Sequence, residues 1–150
     1  MRRSLIMAAA LAALTAAPAA YAENTATEKA NTTVVLEFYR QVFEPQDVSK
    51  ASGFMAVDMI EHNPTAGQGY KGFMDAFGPR WKPRPVEAKL RNPPAIIVAK
   101  DDMVQLVFER PRPEPADPTK TYKAYWFDLF RVKDGKIVEH WDGATKPMPK

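Results

Sequence analysis

Hydrophobic positions recur at helical spacing in the N-terminal half of the chain. The first predicted helix has one apolar face, formed by Val35, Phe38, Tyr39 and Val42. Asn31 or Thr32 could cap this helix at its N-terminus, and Pro45 interrupts it. A second short helix is predicted from Val48 to about Met55, after the turn "EPQD".

A third helix follows a segment that breaks this pattern. The stretch "MIEHNPTAGQG" contains a short extended piece with His62, then a proline and two glycines. After it, one apolar stripe at helical spacing is formed by Tyr70, Phe73, Met74, Phe77 and Trp81. Pro79 ends or kinks this third helix.

From Pro83 onward the pattern is typical of β-strands. Segments rich in β-branched and aromatic residues are "VEAKL", "AIIVAK", "MVQLVFER", "TYKAYWFDLFRV" and "KIVEHWD". "AKDDM" and "KDGK" supply turns between them. Helices first and strands after predict an α+β domain, in which three N-terminal helices cover one curved, mainly antiparallel sheet.

A proline-rich segment, "RPRPEPADPTKT" at residues 110–121, separates two of these strands. Because proline lacks the N–H that a sheet ladder needs, the segment cannot pair centrally in a sheet, and we expect an exposed, semi-extended loop. It is either a lid beside a pocket mouth or a stiff surface connection.

The first 22 residues have the composition of a secretory signal peptide. Two arginines precede an apolar run, and small residues end in Ala20-Tyr21-Ala22. The run is shorter than the about 20 residues that span a bilayer. Cleavage after Ala22 would leave a domain without membrane attachment in the periplasm or outside the cell. Residues 23–30 are polar and are predicted to be a disordered linker, with the folded domain at 31–150.

Charge and cysteine content exclude several classes of function. Removing residues 1–22 leaves 19 Lys and Arg against 18 Asp and Glu, a net charge of about +1. A nucleic-acid partner is not indicated, because phosphate binding needs a clustered basic face. The chain has no cysteine, so disulfide scaffolds and zinc–thiolate sites are excluded.

The hairpin "DLFRVKDGKIVEHWD" carries the candidate chemistry. His140 and Asp142 face the same side of their strand. A two-residue turn at Asp134-Gly135 would place Asp128 opposite Trp141. A three-residue turn would place Asp128 opposite His140, with Arg131 and Glu139 as neighbours on the other face, and charge favours this register.

In this register one face of the hairpin combines acids, an imidazole and aromatic walls. Its members are Trp126, Asp128, Phe130, Val138, His140 and Asp142. If the face is buried, its carboxyl groups can differ in pKa and can take and return a proton on an organic substrate. The alternative is a structural network, in which Asp128 fixes a buried histidine and Asp142 lies at the solvated strand end.

His62 and Asn63 are further candidates, because "HNP" either turns both side chains inward or simply makes a turn. Two imidazoles and a carboxylate, from His62, His140 and one aspartate, could bind a metal. No ligand spacing in the sequence supports such a site, so we predict neither metal nor cofactor.

Several stretches together resemble the SnoaL-like branch of the nuclear transport factor 2-like superfamily. They are "EFYRQVF", "MIEHNP", "GYKGFMDAF", "KDDMVQLV" and above all "FDLFRVKDGKIVEHWD". The resemblance covers roughly residues 32–145 and implies a cone-shaped α+β barrel with a strongly bent sheet around an apolar cavity. It further implies a homodimer and a small hydrophobic organic ligand.

The resemblance also implies roles for individual residues. Catalysis in such proteins is mostly proton transfer on a carbonyl-bearing substrate: aldol-type cyclisation, isomerisation or dehydration. Asp142 would be the acid/base, assisted by His140 and Asp128, while His62 and Asn63 would lie at the cavity. Many relatives have a histidine at the end of the strand that here holds Gln105. In this chain, Gln105 could bind the substrate carbonyl instead, and Trp126 and Phe130 would form walls of the pocket. A non-catalytic binding or dimerisation module is the alternative.

Dimerisation is also supported by the outer face of the hairpin. Its members Phe127, Leu129, Ile137 and Trp141 form a surface too apolar to remain in water.

Overall fold

The computed structural model describes residues 23–148. The predicted signal peptide, residues 1–22, lies outside the described residues and remains a prediction. The helices are α1 (Ala26–Phe38), a π-helical turn (Tyr39–Phe43) that continues it, a 3₁₀ helix (Val48–Gly53) and α2 (Gly69–Phe77). Within residues 23–148, none of these helices has the length and apolar character needed to cross a bilayer.

Helix α1 begins earlier than the sequence pattern predicts. Thr25 and Glu28 form a capping box: the Glu28 N–H donates to Thr25 Oγ1 at 3.2 Å, and the Thr25 N–H donates to the Glu28 carboxylate at 2.7 Å. The same carboxylate accepts the Asp101 N–H at 2.9 Å. The prediction of disorder through residue 30 is therefore wrong from Ala26 onward, because these polar side chains start a helix.

Within residues 23–148 the chain forms seven strands, one before α2 and six after it. They are β1 (Met55–Glu61), β2 (Ile96–Lys100), β3 (Met103–Glu109), β4 (Arg112–Glu114), β5 (Asp117–Tyr122), β6 (Tyr125–Lys133) and β7 (Lys136–Asp142). The main sheet has the order β1-β7-β6-β3-β2 and is antiparallel except for the parallel pair β1–β7. The α+β prediction, with helices on a mainly antiparallel sheet, is confirmed.

Two segments differ from the prediction. Residues 86–90, "VEAKL", form no strand, because prolines at 83, 85, 93 and 94 remove ladder donors on both sides. The proline-rich segment is not an unpaired loop: β4 and β5 form a separate two-stranded hairpin. Proline is tolerated there because both strands have a free edge.

The core lies between the helices and the inner face of the sheet. Its fully buried members include Val35, Val42, Val104, Leu106, Val132 and Ile137. Burying such a side chain stabilises a fold by about 1.5–3 kcal/mol. Strand alternation places Val104 and Leu106 inward and leaves Gln105, which lies between them, on the outer face.

The β6–β7 hairpin has neither of the two predicted registers. Asp134 and Gly135 have φ angles of 50° and 72°, as a two-residue type I′ turn requires. Val132 pairs with Ile137 but Arg131 with Glu139, so Val138 forms a bulge.

The bulge at Val138 determines which residues of β6 and β7 lie opposite each other further from the turn. His140 lies opposite Phe130, and Asp142 lies opposite Asp128. The predicted direct opposition of Asp128 and His140 is wrong, although both face inward. Ile137, predicted on the outer face, is instead buried in the core.

Candidate active site

A cavity of about 220 Å³ lies between the helices and the inner face of the sheet. Its walls are mostly aromatic, formed by Phe38, Tyr39, Phe43, Phe73, Phe77, Trp126 and Phe130. The polar and charged side chains that reach it are Glu61, Asn63, Arg110, Asp128, His140 and Asp142. An apolar hollow with a few convergent polar groups is the usual form of a small-molecule site.

Asp128 is the most deeply buried acid of the cavity, with 5% of its surface exposed. Its Oδ2 accepts the Tyr39 hydroxyl at 2.5 Å, and its Oδ1 accepts the Trp126 indole N–H at 2.8 Å. The His140 Nε2 lies 3.4 Å from Oδ1. Both carboxylate oxygens of Asp128 are thus engaged by hydrogen-bond donors of the protein.

His140 lies between two carboxylates. Its Nδ1 is 3.0 Å from both oxygens of Glu61, and its ring stacks on Phe130 with centroids 4.8 Å apart. Burial alone would lower the pKa of His140, but its hydrogen bonds with Asp128 and Glu61 outweigh burial and raise the pKa to about 9. At neutral pH this residue is an imidazolium.

Tyr39 is a hydrogen-bond donor at this site. Burial, followed by the charge of Asp128, raises its pKa well above the usual 10. The phenol therefore keeps its proton. Tyr39 begins the π-helical turn, which holds one more residue than an α-helical turn, a feature common near functional sites.

Asp142 has fewer side-chain hydrogen-bond partners than Asp128 has. Its Oδ2 accepts the Asn63 side-chain N–H at 2.8 Å, and its Oδ1 accepts the Ala144 N–H at 2.9 Å. The Asn63 side-chain Oδ1 accepts both the Thr65 N–H at 2.8 Å and the Thr65 hydroxyl at 2.7 Å. These contacts fix the orientation of the Asn63 amide, which presents its N–H to Asp142.

Two residues predicted at the cavity lie elsewhere. His62 stacks on Trp141 with ring centroids 4.4 Å apart, and its Nε2 is 3.1 Å from Glu139. Gln105 pairs with Val98 and Leu129 on the outer face of the sheet. Both predictions are wrong in position, because alternation along a strand turns these side chains away from their buried neighbours. The other predicted site residues, Asn63, Trp126, Asp128, Phe130, His140 and Asp142, line the cavity.

Three polar cavity residues were not predicted: Tyr39, Glu61 and Arg110. Glu61 lies two residues after the buried Met59, so it shares the inward face of β1. Tyr39 belongs to the apolar stripe of α1, and a buried tyrosine hydroxyl usually finds a partner. Both signals were present in the sequence, whereas the position of Arg110 follows from the β3 register.

The cluster could also offer metal ligands. Asp128, His140 and Asp142 each present one ligand atom, and these atoms lie within 4.8 Å of one another. A metal needs neutral imidazole and free carboxylate oxygens. His140 with its pKa near 9, and Asp128 with its three donors, favour a hydrogen-bonded network instead.

The α+β fold and the aromatic cavity with its few polar groups define a protein with a small-molecule site. Comparison with known proteins identifies its family. The model of the SnoaL-like domain matches residues 35–140. The chain therefore belongs to the SnoaL-like family, as the motifs "EFYRQVF" and "FDLFRVKDGKIVEHWD" predicted. None of the curated proteins compared with it matches significantly.

Solved structures share this cone-shaped α+β fold. A candidate SnoaL-like polyketide cyclase from Jannaschia sp. CCS1 is 15% identical over 81% of this chain and 91% of its own, with a TM-score of 0.55. A candidate polyketide cyclase from Xanthomonas campestris pv. campestris is 18% identical over 78% and 91%, with a TM-score of 0.54. TerC, crystallised with polyporic acid, is 19% identical over 77% and 92%, with a TM-score of 0.54. These identities establish the fold alone.

Proposed function

We propose that the protein is a small-molecule enzyme that works by proton transfer, with Asp142 as its general acid/base. The observation that carries this proposal is the unequal engagement of two cavity carboxylates. Asp128 has three side-chain partners, whereas Asp142 has one side-chain donor, Asn63, and one backbone donor, Ala144, and faces the same hollow. Asp142 therefore keeps the capacity to exchange a proton with a bound molecule.

The reaction class follows from the groups around Asp142. Its carboxylate would remove a proton from the carbon next to a substrate carbonyl, which forms an enolate and a neutral Asp142. The carboxylic acid would then return the proton elsewhere on the substrate, as isomerisation, dehydration or aldol-type cyclisation requires. The His140 imidazolium in the wall lowers the energy of the enolate through its charge. Glu61 and Asp128 hold that imidazolium in place.

Two solved structures of the same fold carry the description of candidate polyketide cyclases. That description supports a carbonyl-bearing organic substrate for this chain. The aromatic walls supply the matching apolar surface.

The acid/base role can be tested without knowing the natural substrate. In D₂O, NMR would follow deuterium exchange at the acidic carbon positions of 2-tetralone, a bicyclic ketone of suitable size. We expect the protein to accelerate exchange, and Asp142→Asn to remove most of the acceleration, about 100-fold or more. Asp58→Asn, the same change on an exposed strand position, should keep it. Melting temperatures should stay within a few degrees.

Loss of both exchange and folding in Asp142→Asn would instead indicate a structural aspartate. Full retention of exchange would refute the role of Asp142.

A non-catalytic binding module is the second candidate. It is favoured by the fact that both ring nitrogens of His140 are engaged by carboxylates, as in a purely structural network. Native mass spectrometry of freshly purified protein separates the two functions: a bound hydrophobic molecule that is released unchanged after long incubation favours binding alone.

Export and self-association complete the proposal. N-terminal sequencing of protein from the periplasm or the medium should give a chain that begins at Glu23.

The outer face of the sheet carries Phe127, with 49% of its surface exposed, beside Ile96 and Val98. An apolar face of this kind favours a homodimer.

A further inference from the structure

Arg110 stands at the opening of the cavity. Among the described residues that line the cavity, only Arg110 is exposed to solvent; the others are buried or half-buried. The same side chain also lines a second hollow of about 510 Å³, and Tyr39 and Phe43 are shared by both walls. Arg110 therefore lies at the boundary between an inner, aromatic cavity and an outer, more polar one.

The Arg110 guanidinium is held by aromatic rings and not by acids. Its central carbon lies 5.6 Å from the ring centroid of Trp126 and 5.8 Å from that of Phe108. Within residues 23–148, no carboxylate lies within 4.0 Å of it, in contrast to Arg131, which contacts Asp102 and Glu139. Stacking of a guanidinium on rings leaves its N–H edge free to bind two oxygens of an anion.

The charged neighbours in the outer hollow are already engaged. Arg91 Nη2 donates to the Glu44 carbonyl oxygen at 2.8 Å, and the Glu44 carboxylate accepts the Arg91 N–H at 2.8 Å. Glu109 binds Lys123 at 3.2 Å. Within residues 23–148, Arg110 is the cation at this opening whose guanidinium makes no hydrogen bond to the protein, so all of its N–H donors remain available to a ligand.

The charge distribution also orients a ligand. The inner cavity holds three acids, Glu61, Asp128 and Asp142, against one imidazolium, His140, and this excess of acids disfavours an anion beside them. An anionic group would therefore remain at Arg110, while an uncharged ring system enters the aromatic part. A cavity of about 150 Å³ accepts benzene, so 220 Å³ suits a body of one to two rings.

We propose that Arg110 is a specificity-determining residue that binds the carboxylate of an aromatic organic acid, whose ring system occupies the inner cavity. This inference rests on the proposed small-molecule function and narrows its substrate class. Arg110 takes no part in proton transfer. Its removal should weaken the binding of acids and leave the binding of neutral analogues unchanged.

The test compares pairs of probes that differ only in charge. Isothermal titration calorimetry at neutral pH would measure the affinities of 1-naphthoic acid, 2-naphthoic acid and benzoic acid, each beside its primary amide. We expect the wild type to prefer at least one acid over its amide by about tenfold or more, as for hydrogen bonds to charged groups. Arg110→Gln should abolish the preference by weakening the acid alone, and Arg110→Lys should restore only part of it.

Arg112→Gln is the matched control, because Arg112 is exposed on β4 and lines neither hollow. It should keep the preference for the acid, and unaltered amide binding in Arg110→Gln would show that the cavity is intact. Equal affinities in the wild type, or a preference that survives Arg110→Gln, would overturn the role of Arg110 while leaving the cavity as a small-molecule site. Absence of binding by every acid and amide would overturn both this inference and the proposed function.

Discussion

The protonation of His140 makes stability depend on pH in a way that can be measured. The pKa of this residue rises from 6.5 to about 9 in the folded protein. Its side chain is 17% exposed, so solvent screening is limited. Each pKa unit corresponds to 1.36 kcal/mol, which gives His140 a contribution of about 3 kcal/mol to the free energy of unfolding.

The sign follows from the direction of the shift. Because the folded state binds the proton more tightly, the contribution is complete below about pH 6.5 and is lost as the pH rises through about 9. Urea unfolding of the wild type and His140→Gln at several pH values would isolate it, since other titrating groups largely cancel in the difference. We expect that difference to shrink by about 3 kcal/mol between about pH 6 and about pH 10.

His62→Gln is the matched control, because the chain has two histidines and His62 lies on the outer face. NMR of the imidazole protons would give both pKa values directly. A value near 6.5 for His140, or unfolding curves of wild type and His140→Gln that stay parallel with pH, would refute the two-carboxylate environment.

Two further predictions concern the core and the outer face. Tyr39→Phe removes the hydroxyl that donates to Asp128 and should lower the free energy of unfolding by about 1.5–3 kcal/mol, measured in urea; Tyr122→Phe, at an exposed position, should have little effect. Phe127→Lys should convert the expected homodimer to a monomer in light scattering, whereas Val57→Lys, on the exposed face of an edge strand, should not. A wild-type monomer would contradict the homodimer itself.

Hydrophobic periodicity predicted the element types well, because buried faces repeat along helices and strands. Helix α2 and the strands β2, β3 and β7 lie where the pattern indicated. The early start of α1 was missed because its first turn is held by polar contacts, from Thr25 and Glu28, which composition alone does not separate from a linker.

The candidate site was predicted in part. Asp128, His140 and Asp142 face one hollow as expected, because residues two apart on a strand share a face. Their mutual register was not predictable, since it depends on the bulge at Val138 and no local signal marks it. His62 was predicted at the cavity and Glu61 was not, because one step along an extended segment exchanges the inward and outward sides.

The parallel pairing of β1 with β7 determines when the cavity can form as the chain is synthesised and folds. β7 is the last strand in the described chain, yet it lies between β1 and β6 in the sheet. Glu61 and His140, which meet across this pair, are 79 positions apart in sequence. A ribosome makes β1 long before β7, its sheet neighbour within residues 23–148, so the hollow can form only after β7 has been synthesised. Contacts this distant slow folding, and a nascent chain stopped before β7 would have the aromatic walls but neither His140 nor Asp142.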